Sequence, residues 1–385
     1  MADATPQPLS ATVRCTVHVL VAFDVGQGID LDHAESRLSV GAHRQGLGPS
    51  KRTPPYLDYR PLPVRVSGSA EPVEVLVGTG RRERVWKTQR AFDAGIFDFG
   101  AVSITMRIEF EGTLEELLAL SDALYEYGPI LAGARQVVGT LAETMADAVT
   151  KPHVADPMEC YLVFQFDDPG MMEIVRARGA ETDALLAGIL RSERERLSDD
   201  EIADAVASRI SYGRRDVAMI DWNAAIVVDA GPAGSGGGDD VRSVLEYANI
   251  ELLEMRVLDD RLDQILDESY RIVVEQGGRR FPGGWRGLNR IARLQMDSAL
   301  LYEGVNNAIK LVGDQYLARV YRLAAKRFHL PERDSSIERK LSTLESIYSK
   351  LQDRRSSVRM EVLEWIIILL FVVSIVIPFV TGSGH

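Results

Sequence analysis

The chain has few cysteines and no segment with the pattern of a known metal site. Its two cysteines, Cys15 and Cys160, lie far apart, each in an apolar run typical of a β-strand. A disulfide framework or a cysteine-based zinc site needs recurring, closely spaced pairs, so we expect neither, and a reducing compartment fits. The six histidines show no metal-ligand spacing. We therefore predict no metal and no other cofactor.

Complete catalytic motifs are also absent from the sequence. The Asp-Phe-Gly triplet at 98–100 matches the metal-binding triplet of protein kinases, but the strand lysine, the catalytic loop and the Gly-rich loop do not accompany it. We interpret the triplet as a packed turn whose glycine bends the chain into the next strand. If the protein is an unrecognised enzyme, the first candidate residues are Asp98, Asp221 and the loop around His33.

Positive charge is scarce in the front part of the chain. The formal net charge is −12, and the residues from Gly231 onward are neutral overall, so the front part carries the whole acidic excess. An acidic surface repels phosphate, and we do not expect this part to bind nucleic acid directly. A length of 385 residues with 46% hydrophobic and 26% charged residues is ordinary for a folded protein with room for two domains.

Strand and helix patterns alternate through residues 13–230, after a loose N-terminal tail at 1–12. Runs rich in β-branched residues predict strands at 13–23, 101–110, 159–166, 217–220 and 224–228. Thr113 and Glu116 predict a capping box at the start of one helix, and Ser198 predicts the N-cap of another. The sequence therefore predicts an acidic α+β domain with a ferredoxin-like or related sheet and helices.

A Gly-rich linker at 231–240 precedes a helical region at 241–362. Apolar residues recur there at three- and four-residue spacing. The last helix carries a heptad seam formed by Ile337, Leu341, Leu344, Tyr348, Leu351, Arg355, Val358, Val362 and Trp365. We expect the long helices to form an antiparallel hairpin or coiled-coil region, whose seams also offer a surface to a second copy.

The chain ends in an apolar run of about seventeen residues, which would span about 25 Å as a helix against about 30 Å of bilayer hydrocarbon. We predict one transmembrane helix at 363–381, with a buried core helix or an interfacial helix as the alternatives. The predicted membrane-anchor residues are Trp365, Ile366, Ile367, Ile368, Leu369, Leu370, Phe371, Val372 and Val373.

Basic residues lie only on one side of this run. The juxtamembrane cations are Lys350, Arg354, Arg355 and Arg359, and no Lys or Arg follows the run. The positive-inside rule then predicts a tail-anchored, single-pass membrane protein with a cytoplasmic N-terminal body.

A second basic patch lies within the helical region. It consists of Arg279, Arg280, Arg286, Arg290 and Arg293, with Phe281 and Trp285 interleaved and no acid between Glu275 and Asp297. Arginine beside aromatic residues suits lipid headgroups, nucleic acid or an acidic protein face. The alternative is a turn between two helices that docks on the acidic front domain of the same chain.

Three segments carry a resemblance to a known family. They are Phe-Asp-Phe-Gly-Ala-Val at 97–102, Ile-Asp-Trp-Asn-Ala-Ala at 220–225 and Leu-Glu-Trp-Ile-Ile-Ile-Leu-Leu at 363–370. Together they resemble the family called required for meiotic nuclear division. The resemblance implies an α+β domain, a helical hairpin and one C-terminal transmembrane helix, with mitochondrial relatives that form large homo-oligomers and support translation at the inner membrane. It implies no catalytic residues.

This chain lacks a transit-peptide pattern, so we place it as a bacterial-type member in the cytoplasmic membrane and not in the mitochondrial inner membrane. The predicted function is a membrane-tethered, oligomeric scaffold without catalysis, whose helical region self-associates and whose acidic domain recruits an unidentified protein partner. One alternative is a ligand-sensing α+β domain coupled through the helices to the membrane. The other is an unrecognised enzyme.

Overall fold

The computed structural model describes residues 12–38, 42–44, 61–79, 82–231, 237–276, 296 and 315–381. Within these ranges, only the backbone is described for residues 79, 82, 272–276, 351–363, 369 and 371–381. The chain divides into two compact units, Met1–Val257 with Leu301–Asp334, and Leu258–Leu300 with Ser335–His385.

The first unit contains the strands and most of the helices. The strands are β1 Val13–Asp24, β2 Gly28–Ile29, β3 His43–Arg44, β4 Val64–Ser69, β5 Glu74–Thr79, β6 Arg82–Ile96, β7 Ala101–Gly112, β8 Val149–Thr150, β9 Met158–Phe166, β10 Arg209–Ile210, β11 Asp216–Ile220 and β12 Ala224–Asp229. The helices whose bounds lie within the described residues are α1 Leu31–Leu38, α2 Leu114–Leu124, α3 Gly128–Thr144, α4 Pro169–Ala177, α5 Ala180–Arg191, α6 Asp199–Ala207, α7 Gly237–Gln276, α8 Gln315–Arg327 and α9 Leu330–Thr381.

One mixed sheet of ten strands organises the first unit. Its order is β10-β11-β12-β9-β1-β7-β6-β4-β3, and β5 pairs with β6 beside this path. Strand β9 pairs in parallel with β12, whereas β1 is antiparallel to both β7 and β9. Strands β2 and β8 form a separate two-stranded ladder. The predicted α+β domain with later helices is confirmed at this level.

Both faces of the sheet are buried at its centre. On β1, Val19 and Phe23 lie in the core formed with helices of the first unit, and neither is more than 1% exposed. Leu20 of the same strand points to the opposite face and is also fully buried, as is Tyr161 on the neighbouring β9. Asn249 of α7 donates a hydrogen bond to the carbonyl of Glu159 on β9. A strand buried on both faces carries a nearly continuous apolar run, as β1 does.

The predicted helix caps are confirmed. At the start of α2, the backbone N–H of Glu116 donates to the hydroxyl of Thr113, and the Glu116 carboxylate accepts from the Thr113 N–H at 3.0 Å. Ser198 caps α6 in the same way by accepting from the Glu201 N–H. These bonds satisfy backbone donors that have no partner within the helix.

The second unit has a small core between two helices. Ile265 of α7 is 4% exposed and Leu344 of α9 is fully buried, with Leu266 and Tyr348 packed against them. Lys340 of α9 lies 2.7 Å from a carboxylate oxygen of each of two acids on α7, Asp259 and Asp263.

The prediction of a transmembrane helix is wrong. Among the described residues, no helix is both long enough and apolar enough to cross a membrane. The apolar run is the end of the 52-residue helix α9, and its length of about 25 Å was already short of the bilayer hydrocarbon. The single-pass, tail-anchored placement in a bacterial or mitochondrial membrane depended on this helix and is withdrawn with it.

Several predicted segments lie outside the described residues. These are residues 1–11 of the N-terminal tail, residues 232–236 of the linker, and the whole arginine patch at 279–293. The division into an α+β domain, a linker and a helical region therefore stays a prediction.

Candidate functional site

The three residues proposed for an enzyme have separate structural surroundings. Asp98 lies in the turn between β6 and β7, and its carbonyl accepts from the Ile29 N–H at 2.7 Å. His33 lies on α1, with its Nε2 3.6 Å from an Asp147 carboxylate oxygen. Asp221 begins the turn between β11 and β12 and is fully buried. None of the contacts of Asp221 and His33 within the described chain brings these two side chains together.

The turn at 98–100 has the predicted structural role. Phe97 is buried and its ring lies 5.6 Å from that of Phe99. Gly100 has a φ of 108°, and a Cβ at this position would lie 2.0 Å from the carbonyl oxygen of Gly26. Only glycine tolerates this conformation and this close approach.

The best-formed polar centre surrounds Asp221. One carboxylate oxygen lies 3.0 Å from Arg191 Nε. The other accepts from the Trp222 N–H at 2.9 Å and lies 3.3 Å from Arg327 Nε, without the alignment of a hydrogen bond. The Tyr161 hydroxyl donates to the Asp221 carbonyl at 2.9 Å.

Arg191 extends this centre towards the surface. Its guanidinium lies 4.1 Å from the ring centroid of Trp222, donates to Asp204 at 2.8 Å and pairs with Glu201. Asp204 also pairs with Arg327 at 2.9 Å, and this hydrogen bond contributes most to lowering the Asp204 pKa. The two arginines and three carboxylates form one ion-pair network that joins α5, α6, α8 and the turn after β11. Each charged group of this network has at least one oppositely charged partner among the described residues.

A polar groove lies at the end of the sheet where β7 and β9 terminate. Its volume is about 1160 Å³. Arg84 lies 4.5 Å from the ring centroid of Trp86, and Trp86 lies 4.8 Å from Phe110. The lining arginines are paired, Arg14 with Glu111 at 3.0 Å and Arg84 with Glu116 at 2.8 Å. The groove therefore presents an aromatic wall and an acidic rim, because Glu109, Asp167 and Asp168 line it in addition to the two ion pairs. Such a site suits a small polar molecule better than a highly charged anion.

Glu251 on α7 and His18 on β1 are buried ionisable side chains whose pKa values are strongly shifted. Glu251 is 2% exposed, and one carboxylate oxygen accepts from the Tyr321 hydroxyl at 2.5 Å while the other has no hydrogen-bond partner among the described residues. Burial raises the pKa of Glu251 to about 7, and Asp334 adds to the increase. His18 on β1 is also buried. Burial, with Arg242 and Arg107 nearby, lowers its pKa to about 3, so the imidazole is neutral.

The residues predicted to anchor the chain are exposed where their side chains are described. Five of them have exposed fractions between 48% and 70%: Trp365, Ile366, Ile367, Ile368 and Leu370. Lys350 is exposed on α9. The side chains of Leu369, Phe371, Val372, Val373, Arg354, Arg355 and Arg359 lie outside the described residues.

Comparison with known proteins identifies the front part of the chain. Residues 14–233, more than half of the sequence, match the model of the family described as the N-terminal domain of uncharacterized protein MJ0711. The chain belongs to this family. The match begins at β1 and ends just after β12, so it covers the sheet, α1 to α6 and every member of the Asp221 centre except Arg327.

A similar protein is uncharacterized protein MJ0711 of Methanocaldococcus jannaschii, which is 25% identical over 198 residues. The aligned region covers 51% of this chain and 59% of the archaeal protein. No solved structure is significantly similar. The resemblance to the required for meiotic nuclear division family is therefore wrong. It rested on short segments, and two of them are a packed turn and an ion-paired turn that serve the fold.

Proposed function

We propose that this protein is a non-catalytic scaffold that assembles copies of itself through the long helix α9. The observation that carries this proposal is the exposed apolar surface at the end of that helix. Four consecutive side chains there, Trp365 to Ile368, are about half exposed or more, and Leu370 is 61% exposed. Four consecutive positions surround a helix completely, since successive residues are about 100° apart. A helix that is apolar on all sides is stable when other elements cover it.

The energy available from covering this surface is substantial. Full burial of a large apolar side chain contributes about 1.5–3 kcal/mol, so covering five that are about half exposed contributes roughly 5 kcal/mol per chain. Part of this is offset by the entropy lost on association. Several copies brought together at one point would each contribute the same amount.

The heptad seam supports the same assembly. Ile337 and Leu344 are fully buried, so the first part of the seam is already covered within the chain. In the sequence the seam continues in steps of three and four from Leu351 to Trp365, where the exposed apolar residues begin. A seam that continues to an uncovered end is typical of a helix that pairs with another.

The first unit then has the role of recruiting a partner. The ionisable groups of the Asp221 centre are paired with one another, which supports a structural role and not a catalytic one.

The mass of the full chain in solution, measured by light scattering, tests the proposed self-assembly. We expect a closed oligomer, and a monomer at all concentrations would refute it.

A ligand-sensing role is the second candidate, and the groove lined by Trp86 favours it. A small polar ligand would stack against the indole and bond to the paired charges at the rim. Thermal unfolding of the full chain in the presence of amino acids and nucleosides tests this role. We expect a binder to raise the midpoint for the native chain and not for Trp86→Ala, and no shift with any compound would remove the support for a sensor.

A further inference from the structure

The turn between β10 and β11 projects a tyrosine into solvent. Within this turn the Asp216 carboxylate accepts from the backbone N–H groups of Tyr212 and Gly213, both at 2.6 Å. These two bonds fix the backbone of the turn. The side chain of Tyr212 is 78% exposed, so most of its ring is in contact with solvent.

A second tyrosine, Tyr316, packs against the ring of Tyr212. The ring of Tyr316 on α8 lies 5.4 Å from the ring of Tyr212, at an interplanar angle of 58°. Its hydroxyl points towards Asp216, with an oxygen separation of 3.4 Å. Burial, followed by Asp216, raises the pKa of Tyr316, so its hydroxyl stays protonated. Tyr212 therefore has one side against protein and the other free.

Four exposed arginines lie on this turn and on the two helices next to it. Arg214 and Arg215 belong to the turn itself, and Arg176 at the end of α4 donates to the carbonyl of Arg214. Arg319 is exposed on α8, three positions after Tyr316 and therefore on the same side of that helix. Among the described residues, none of the four arginines forms an ion pair with a carboxylate. We call Tyr212 and these four arginines the Tyr212 surface.

The charge of this surface is opposite to that of the whole protein. The chain has a net charge of −12, yet four exposed arginines lie on the turn and on the two neighbouring helices. The two carboxylates that act on the Tyr316 hydroxyl, Asp216 and Asp229, each accept two backbone N–H bonds. At physiological salt the screening length is about 8 Å, so the local arginines dominate over distant acids for a ligand that touches the surface. Unpaired like charges gathered in one place do not stabilise the fold, and an anionic ligand would remove their repulsion.

We propose that the Tyr212 surface binds single-stranded nucleic acid. The arginines suit consecutive phosphates, and the free face of Tyr212 suits stacking with a base, which is the combination that single-strand binding proteins use. An acidic protein would satisfy the arginines but gains less from a free aromatic face. The acidic net charge of the front part led to the prediction that this part does not bind nucleic acid. A net charge, however, is a sum over the whole surface and does not report a local basic region.

The test is fluorescence anisotropy of a labelled twelve-nucleotide oligouridine with the full chain, at 50 mM and 200 mM salt. Tyr212→Ala removes the stacking face, and Arg214→Ala with Arg215→Ala removes two phosphate contacts. The matched control is Arg194→Ala with Arg196→Ala, which removes two exposed arginines from the loop between α5 and α6 near the opposite end of β11. All these side chains are exposed, so each variant is expected to unfold like the native chain.

We expect Tyr212→Ala to weaken binding roughly tenfold. We expect the Arg214 and Arg215 variant to weaken binding at 50 mM salt and to make the logarithmic salt slope shallower by about 1.4, since each lost phosphate contact on a single strand contributes about 0.7. The control should match the native chain. No binding at 50 mM salt, or equal loss in the control, would overturn the proposal. If Tyr212→Ala binds normally and polyglutamate binds as well as the RNA, the surface docks acidic proteins and the proposal is also wrong.

Discussion

Arg191 and Asp221 form a salt bridge that is buried on both sides. Arg191 Nε lies 3.0 Å from an Asp221 carboxylate oxygen, and the side chains are 4% and 0% exposed. A buried pair of this kind adds little stability over an apolar pair, because both charges lose their hydration. Removal of one partner, however, leaves the other charge buried without compensation. The pair therefore holds the end of α5 against the turn after β11.

The Arg191→Ala variant should be strongly destabilised. Asp221 would keep only Arg327 as a charged partner, and removal of one member of a buried pair costs about 3–5 kcal/mol. Urea unfolding measures this loss. Arg194→Ala, in the exposed loop that follows α5, is the control and should change stability by less than about 0.5 kcal/mol. Equal midpoints for the two variants would mean that the pair does not hold this part of the fold.

Glu251 should make stability depend on pH. Its pKa is raised from 4.5 in the unfolded chain to about 7 in the folded chain, so the folded state binds the proton more tightly. The stabilising contribution is fully present below pH 4.5 and is lost as pH rises through 7. The shift corresponds to about 3 kcal/mol between these limits.

The Glu251→Gln variant isolates this effect, because glutamine cannot ionise. The difference in unfolding free energy between the variant and the native chain should increase from pH 5 to pH 8 in favour of the variant. Glu143→Gln, at an exposed position on α3, should show no such trend. A flat difference for the Glu251 variant would indicate that its carboxylate is not desolvated in solution.

Gly100 should not tolerate a side chain. Gly100→Ala places a methyl group 2.0 Å from a backbone oxygen at a φ of 108°, so we expect a loss of at least 2 kcal/mol by the order of magnitude for backbone strain. Gly139→Ala, in the interior of α3 with no atom within 4 Å of the new Cβ, should stabilise the chain by about 0.5–1 kcal/mol. Thermal unfolding of both variants measures the two changes in stability. A Gly100→Ala variant as stable as the native chain would show that this turn does not require glycine.

Strands with a strong apolar pattern were predictable from the sequence. The prediction of 13–23 corresponds to β1 Val13–Asp24, and that of 159–166 to β9 Met158–Phe166. Their β-branched and aromatic residues are buried on both faces, so the sequence reports the environment directly. The capping residues Thr113 and Ser198 were equally clear, because their hydrogen bonds are local.

Strand β6 was not predicted. It has fifteen residues, but Arg, Glu, Lys and Gln dominate its first half and hide the alternation. This segment is a strand because it pairs with β5, β4 and β7. Pairing with distant segments cannot be read from the local sequence pattern. Similarly, the sequence predicts the start of the helix capped by Ser198 but not its end at Ala207, which is set by the pairing of Arg209 and Ile210 with β11.

The sequence indicated some residues of the polar centres but not their partners. Asp221 stood out because it begins a turn between two apolar strands, but its partner Arg191 is thirty positions away on a helix end. Glu251 lies on a helix with many exposed acids, and only packing against Tyr321 distinguishes it. The Tyr212 surface had a local signal, two adjacent arginines after a tyrosine and a glycine, which the net charge of the domain obscured.

The mass of the full chain, measured by light scattering together with the variants Trp365→Glu and Ser349→Glu, tests the scaffold most directly. Both positions are exposed on α9 and both variants add one negative charge, but only Trp365 belongs to the apolar end. The scaffold account predicts a closed oligomer for the native chain and for Ser349→Glu, and a smaller species for Trp365→Glu. A native chain with the mass of one copy, or an unchanged oligomer in Trp365→Glu, would contradict assembly through the end of α9.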